Sequence, residues 1–256
     1  MTVETEVRDG VARVRLTRDT IGLATARGLL DAAQRAQAED VRAVLLTSAA
    51  RSFCVGGDLK EFAAVTDLRE HLIQVTTALH EALRILAALD APLVAAVHGA
   101  VAGAGLGLVA AADLAIAADD ATFVAAYTGI GYSPDAGVTW SLPRLLGPKR
   151  ALDLLLTNRR MDAAEALSAG LLTAVVPAGQ AVPAATELSA RLAGGPFPAF
   201  AATKRLVRQG MSAPFGAQLD DEARAIADAA VSAHGREGVA AFLSKRPPRY
   251  PADHCP

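Results

Sequence analysis

Residues 92–117 read PLVAAVHGAVAGAGLGLVAAADLAIA, with no formal charge between Pro92 and Asp113. Leu93–Val97 is a short apolar run between Pro92 and the His98-Gly99 pair, the pattern of a fully buried strand. Gly103-Ala104-Gly105 then makes a tight turn that opens into an apolar helix. Asp113 ends that helix, and Leu114–Ala117 reads as a second buried strand. Residues 93–112 also have the length of a membrane span, with Gly99 and Gly103 as a small-xxx-small pair. His98, the preceding Pro92, the Gly-Ala cluster and Asp113 favour strand, turn, helix and strand in a protein outside the membrane.

The rest of the chain extends this alternation. Glu4–Arg8 and Val11–Leu16 flank Asp9-Gly10, a hairpin signal. Thr25–Gln37 is an amphipathic helix with Thr25 as its expected N-cap and Leu29, Leu30 and Ala33 on one face. Val41–Thr47 is a buried strand, followed by a loop that contains Gly56-Gly57. Asp67–Leu89 is a long helix with Leu68, Leu72, Leu79, Leu83 and Leu86 at helical spacing. Alternating strands and helices predict an α/β fold with helices covering the sheet. After about Leu145 the pattern is helical: Pro148 opens one helix and Asp162 caps another, with more near 182–192, 198–209, 215–231 and 236–244. Gly194-Gly195-Pro196 is the best break, dividing a core of residues 1–194 from a C-terminal helical region of 195–256.

The 256 residues are 52% hydrophobic and 20% charged, with a net charge of −2. That composition argues for an ordered globular chain. It offers no basic excess for a nucleic-acid backbone. The two cysteines, Cys54 and Cys255, are far apart in sequence, which suits neither a disulfide framework nor a zinc site. His71, His98, His234 and His254 show no metal-ligand spacing. The N-terminus, MTVETEVRDG, has no apolar signal core, and a reduced cytoplasm is the expected location.

Two glycine-containing loops follow buried strands: Cys54-Val55-Gly56-Gly57-Asp58 and Gly103-Ala104-Gly105. Such loops can aim backbone N–H groups at one oxygen, helped by the positive end of a helix; they can equally serve tight strand–helix packing. Their order and surroundings resemble the enoyl-CoA hydratase/isomerase, or crotonase, family. The resemblance is carried by SFCVGGDLKEF (52–62), PLVAAVHGAVAGAGLGL (92–108), Asp113 through GIGYSPDAGVTWSLPRLLG (129–147), AEALSAGLL (164–172) and GREGVAAFLSKRPPRY (235–250). It implies a spiral of ββα units with a C-terminal helical layer for trimer assembly, as a homotrimer or dimer of trimers. It implies an acyl-CoA thioester substrate whose carbonyl meets Gly57 N–H and Ala104 N–H. Coenzyme A then arrives with the substrate, and no separate cofactor is needed. The same resemblance puts Arg51, Cys54, Gly56, Asp58 and Leu59 around the coenzyme. Phe242 and Lys245 match tail positions that contact it from a neighbouring subunit. Most relatives have Gly at Ala104, so Ala104 is expected to keep helical dihedrals, since a left-handed alanine costs about 1–2 kcal/mol.

Hydratases of this family hold water with two glutamates. Here those positions are Gly107 and Tyr127, so efficient hydration is not expected. One acid remains, Asp135, in GYSPDAGVTW. Read from its residues alone, Pro-Asp-Ala-Gly is good turn chemistry. The resemblance instead implies catalysis, because members with Asp here include dienoyl-CoA and ring-epoxide phenylacetyl-CoA isomerases and 4-chlorobenzoyl-CoA dehalogenase. The expected reaction is an enolate-type isomerisation with Asp135 as base. Tyr127 matches a Trp of the dehalogenase, and His80, a weaker catalytic candidate, matches its active-site His. By analogy of fold, Val65, Leu68, Leu72 and Tyr127 are expected to line the acyl pocket. Asp58 and Glu61 are expected as helix N-terminal charges or pocket-rim groups.

Overall fold

The computed structural model describes residues 1–251. Cys255 and His254 lie outside the described residues. In chain order the elements begin with β1 (Val3–Arg8), β2 (Val11–Leu16), α1 (Leu23–Ala38), β3 (Ala43–Ser48), α2 (Leu59–Ala64) and α3 (Leu68–Ala88). They continue with β4 (Leu93–Val97), β5 (Ala100–Ala102), α4 (Ala104–Ala111), β6 (Leu114–Ala118) and β7 (Thr122–Val124). Then follow a 3-10 turn at Thr128–Ile130, α5 (Val138–Leu146), α6 (Pro148–Thr157), β8 (Met161–Asp162), α7 (Ala163–Ser168) and β9 (Ala174–Val176). The chain ends in α8 (Ala181–Ala193), α9 (Phe197–Gly210), α10 (Phe215–Val231) and α11 (Ala233–Leu243).

The larger sheet has the order β1-β2-β3-β4-β6-β9. The β1-β2 hairpin is antiparallel, and every later pairing in that sheet is parallel. A second sheet has the order β5-β7-β8. After β4 the chain adds β5 to the small sheet and turns into α4; after β6 it adds β7 to the small sheet. These two passes each place one strand in each sheet before a helix, as a ββα spiral does. Single bridges, Ile21 to Gly57 and Cys54 to Val101, carry the second layer back to the earlier passes.

Residues of β3 and β4 are buried throughout, as a parallel strand covered on both faces requires. Their alternate residues feed two cores. Val44, Leu46, Ala95 and Val97 join the main core with α1 and α3. Ala43, Leu45, Val94 and Ala96 face Ala185 and Ala193 of α8. Thus the uncharged run at 93–112 becomes β4, β5 and α4, and among the described residues no helix is long and apolar enough to cross a membrane.

The Gly194-Gly195-Pro196 break falls between α8 and α9. Helix α9 is still pinned to the spiral: Phe197 is buried in the main core, and Lys204 Nζ meets Asp113 Oδ2 at 2.8 Å and the Ala91 carbonyl at 2.9 Å. Burial pulls the Lys204 pKa down, while the Asp113 charge opposes that shift.

One helix start differs from the sequence reading. Thr25 is not an N-cap; it is buried inside α1, whose N-cap is Gly22. The carboxylate of Glu61 on α2 supplies the cap, accepting Leu23 N–H at 2.9 Å. A Cβ on Gly22 would lie 1.9 Å from Glu61 Oε2, so a side chain there would push the capping carboxylate aside.

Candidate active site

The glycine loops meet back to back. Gly56 has φ +95° and Gly103 has φ +52°, both in the left-handed half of backbone space that glycine enters freely. A Cβ on Gly103 would stand 3.3 Å from Gly56 Cα, and one on Gly56 would stand 3.1 Å from the Ala102 carbonyl oxygen. Ala102 N–H also donates to the Cys54 carbonyl at 2.9 Å. These contacts bring together the residues that follow each glycine, Gly57 and Ala104. Among the described residues neither of their N–H groups has a hydrogen-bond partner. Both residues border one cavity of about 770 Å³.

Ala104 is the first residue of α4, and its φ is not positive. The left-handed conformation falls on Gly103 instead, so Ala104 offers its donor without the alanine penalty. As an N-terminal helix residue, its N–H also carries the positive end of the helix dipole. Gly105 is required for another reason: a Cβ there would overlap the Cys54 carbonyl oxygen at 2.2 Å.

The cavity wall is mainly apolar, formed in part by Phe62, Leu68, Leu72, Val75, Leu79 and Ile130. Tyr127 and Asp135 complete it. Leu68, Leu72 and Tyr127 thus lie where expected, whereas Val65, the C-cap residue of α2, stays outside the wall. The Asp135 carboxylate interacts with the Tyr127 hydroxyl, and among the described residues its basic partner is His80 Nε2 at 4.0 Å from Oδ2. Tyr127 Oη donates to the Asp135 backbone carbonyl at 3.4 Å. Burial pushes the Tyr127 phenol far up, with the Asp135 charge adding to the shift, so the hydroxyl keeps its proton.

The expected coenzyme-contacting residues divide. Gly56 and Leu59 border the cavity, Leu59 half exposed. Cys54 does not; its side chain is fully buried behind the loop. Burial raises its thiol pKa to about 12. Asp58 does not border it either, because its carboxylate is committed as the α2 N-cap, accepting Glu61 N–H at 3.1 Å and the Thr20 hydroxyl at 3.2 Å. Its expected role as a helix N-terminal charge is the one the fold uses. Glu61 instead caps α1 and pairs with His71 Nε2 at 2.8 Å. Arg51 is exposed and makes no ion pair among the described residues. Phe242 is 82% exposed on α11, and neither it nor Lys245 borders this chain's own cavity.

Sequence reasoning passed over Ala136. This non-glycine residue has φ +50°. Its N–H donates to His80 Nε2 at 3.2 Å, and its carbonyl would lie 2.5 Å from a Cβ on Gly107. The only signal was the Pro-Asp-Ala-Gly turn composition, which does not reveal the partners. Among the described residues, no group of His, Cys, Asp or Glu side chains is arranged to hold a metal ion.

The family model for enoyl-CoA hydratase/isomerase matches residues 6–253. The chain belongs to the enoyl-CoA hydratase/isomerase family. A Rhodobacter capsulatus protein named "Probable enoyl-CoA hydratase" is 40% identical, with 97% of each chain covered. The Escherichia coli 1,2-epoxyphenylacetyl-CoA isomerase is 36% identical over 83% of this chain and 82% of its own. The 4-chlorobenzoyl coenzyme A dehalogenase-2 of an Arthrobacter species is 31% identical over 95% of this chain and 91% of its own. The solved enoyl-CoA hydratase of Bacillus anthracis superposes with a TM-score of 0.91 at 29% identity, covering 99% of this chain and 100% of that one. The enoyl-CoA hydratase/isomerase fold expected from the sequence, a crotonase-like spiral, is therefore the fold of this chain.

Proposed function

We propose that this enoyl-CoA hydratase/isomerase family member is an acyl-CoA isomerase that shifts a double bond or rearranges a ring epoxide through a thioester enolate. The observation that carries this reading is that Asp135 borders the same cavity as the two unpartnered donors, Gly57 N–H and Ala104 N–H. A thioester oxygen held by those donors gains negative charge as the adjacent carbon, or its vinylogous position, loses a proton. Fixed donors in an apolar cavity stabilise that charge without reorganisation. The Asp135 carboxylate takes the proton and returns it to another carbon. The absence of both hydratase glutamates, replaced by Gly107 and Tyr127, speaks against water addition. Coenzyme A arrives as part of the substrate and no further cofactor enters the scheme. The cytoplasm is the proposed location.

One observation favours a second reading. His80 lies beside Asp135, and the similar Arthrobacter protein is named a dehalogenase. In that case Asp135 attacks an aromatic carbon as a nucleophile.

A panel of 2-enoyl-, 3-enoyl-, dienoyl-, ring-epoxide phenylacetyl- and 4-chlorobenzoyl-CoA esters separates these readings. Wild type should give an isomer of equal mass from an enoyl or epoxide ester. Asp135→Asn should lose about 10²–10⁴-fold in kcat, the usual contribution of a general base, and still bind the ester. Chloride release would replace isomerisation with the dehalogenase reading. Tight ester binding without turnover would leave a non-catalytic acyl-CoA-binding homologue.

A further inference from the structure

We infer that His80 is a positioning residue that holds the Asp135–Ala136 peptide from one end while Tyr127 holds it from the other. The two hydrogen bonds converge on a single peptide unit. Its carbonyl, from Asp135, accepts from Tyr127 Oη at 3.4 Å. Its N–H, from Ala136, donates to His80 Nε2 at 3.2 Å. Gly107 supplies the floor, since its missing side chain lets Ala136 sit against α4. A peptide held at its N–H by His80 and more loosely at its carbonyl by Tyr127 has a restricted plane, which biases the ψ of Asp135 and the φ of Ala136. An alanine at φ +50° persists only where its surroundings over-determine it. Three elements meet that condition here: α3 through His80, the 3-10 turn entry through Tyr127, and α4 through Gly107.

The chemistry of the grip fixes the state of His80. To accept from a backbone N–H, Nε2 must be unprotonated, so the imidazole is the neutral tautomer with its proton on Nδ1. A ring committed in this way is not free to take a proton from water through Nε2. At 4.0 Å from Asp135 Oδ2 it is also too far for a normal hydrogen bond to the carboxylate. His80 therefore acts through the backbone, aiming the Asp135 side chain into the cavity. This role deepens the proposed Asp135 chemistry and rests on it for its catalytic consequence, but the grip itself can be observed without substrate.

The direct test is nitrogen NMR of protein carrying labelled histidine, with the His80 signals identified by their loss in His80→Gln. The expected result is a pyridine-type Nε2 and a protonated Nδ1 in the resting protein. An Nε2–H tautomer or an imidazolium under assay conditions would overturn the grip, whatever the enzyme's substrate proves to be. On a substrate of the panel, His80→Ala should lower kcat about ten- to a hundredfold, the scale of a small misplacement of a reacting group, with KM nearly unchanged. His80→Gln, whose amide oxygen can accept the same N–H, should recover part of that loss. A rise in KM at unchanged kcat, or no recovery in His80→Gln, would overturn the positioning role. Should His80→Ala fail to fold, the tautomer of the wild-type ring still decides.

Discussion

Gly107 shows how a single missing side chain sets the chemistry available to the site. The position lies inside α4, where glycine costs about 1 kcal/mol relative to alanine, yet any Cβ there would press on the Ala136 carbonyl at 2.5 Å and the Ala136 Cβ at 2.6 Å. The glutamate of a hydratase and the present Asp135–Ala136 turn therefore compete for the same space. Gly107→Glu is expected to gain no hydration activity and to lose about 1–3 kcal/mol of stability through overpacking. Urea denaturation with an enoyl-CoA hydration assay checks both. Appearance of hydratase activity without loss of stability would show that the turn yields easily. Cys54 gives a second residue-scale prediction. With its thiol raised to about 12 by burial, almost no thiolate forms near pH 8, and the sulfur is out of reach of solvent. Iodoacetamide should therefore label Cys54 only after denaturation, as read by peptide mapping. Labelling in the native protein would contradict its placement behind the loop.

At the level of elements, the five- and six-residue strands and the two glycine loops could be read from local pattern because their signals are contiguous: short runs bounded by Gly, Pro or Asp. The 93–112 run shows this best, since Pro92, His98 and Asp113 mark the ends of β4 and α4. Strands β5, β7, β8 and β9 were not legible, because two- or three-residue strands carry no periodicity and exist only through their neighbours. The start of α1 failed for a related reason. Its capping group comes from Glu61, 38 positions away from Leu23, and no local rule contains it. Glu61→Ala should lower stability by about 1 kcal/mol, the usual cost of losing a helix cap, and Glu61→Gln by less because an acceptor remains. Chemical denaturation of both variants gives the comparison. Equal stability of wild type and Glu61→Ala would mean that solvent caps α1 just as well. The Asp135 grip was hidden for the same reason: His80, Gly107 and Tyr127 meet the Asp135–Ala136 peptide only in the folded chain.

For the molecule as a whole, the C-terminal helices leave apolar surface uncovered. Phe215, Ile226, Phe242 and Leu243 are between 72% and 82% exposed, and α10 has no buried residue at all. A single soluble chain rarely leaves such a face to water. The assembly that the sequence resemblance implies, a trimer or a dimer of trimers, is expected to cover it and to bring Phe242 and Lys245 to a neighbour's coenzyme site. Light scattering behind size exclusion should give a mass that is a multiple of three chains, whereas a monomer would contradict the assembly. The family was legible at this scale because ordered motifs spread across most of the chain identified it together; the reaction was not, because it turns on a few side chains in one cavity. The measurement that bears most directly on that reaction is isotope uptake from deuterated water into an enoyl-CoA ester, read by mass spectrometry for wild type and Asp135→Asn. The account predicts a shifted double bond in wild type, with the hydrogen that Asp135 carries between the carbons largely retained and little deuterium taken up, and no shifted double bond in the variant. Water addition that survives in Asp135→Asn would contradict it and make the chain a hydratase that works without either glutamate.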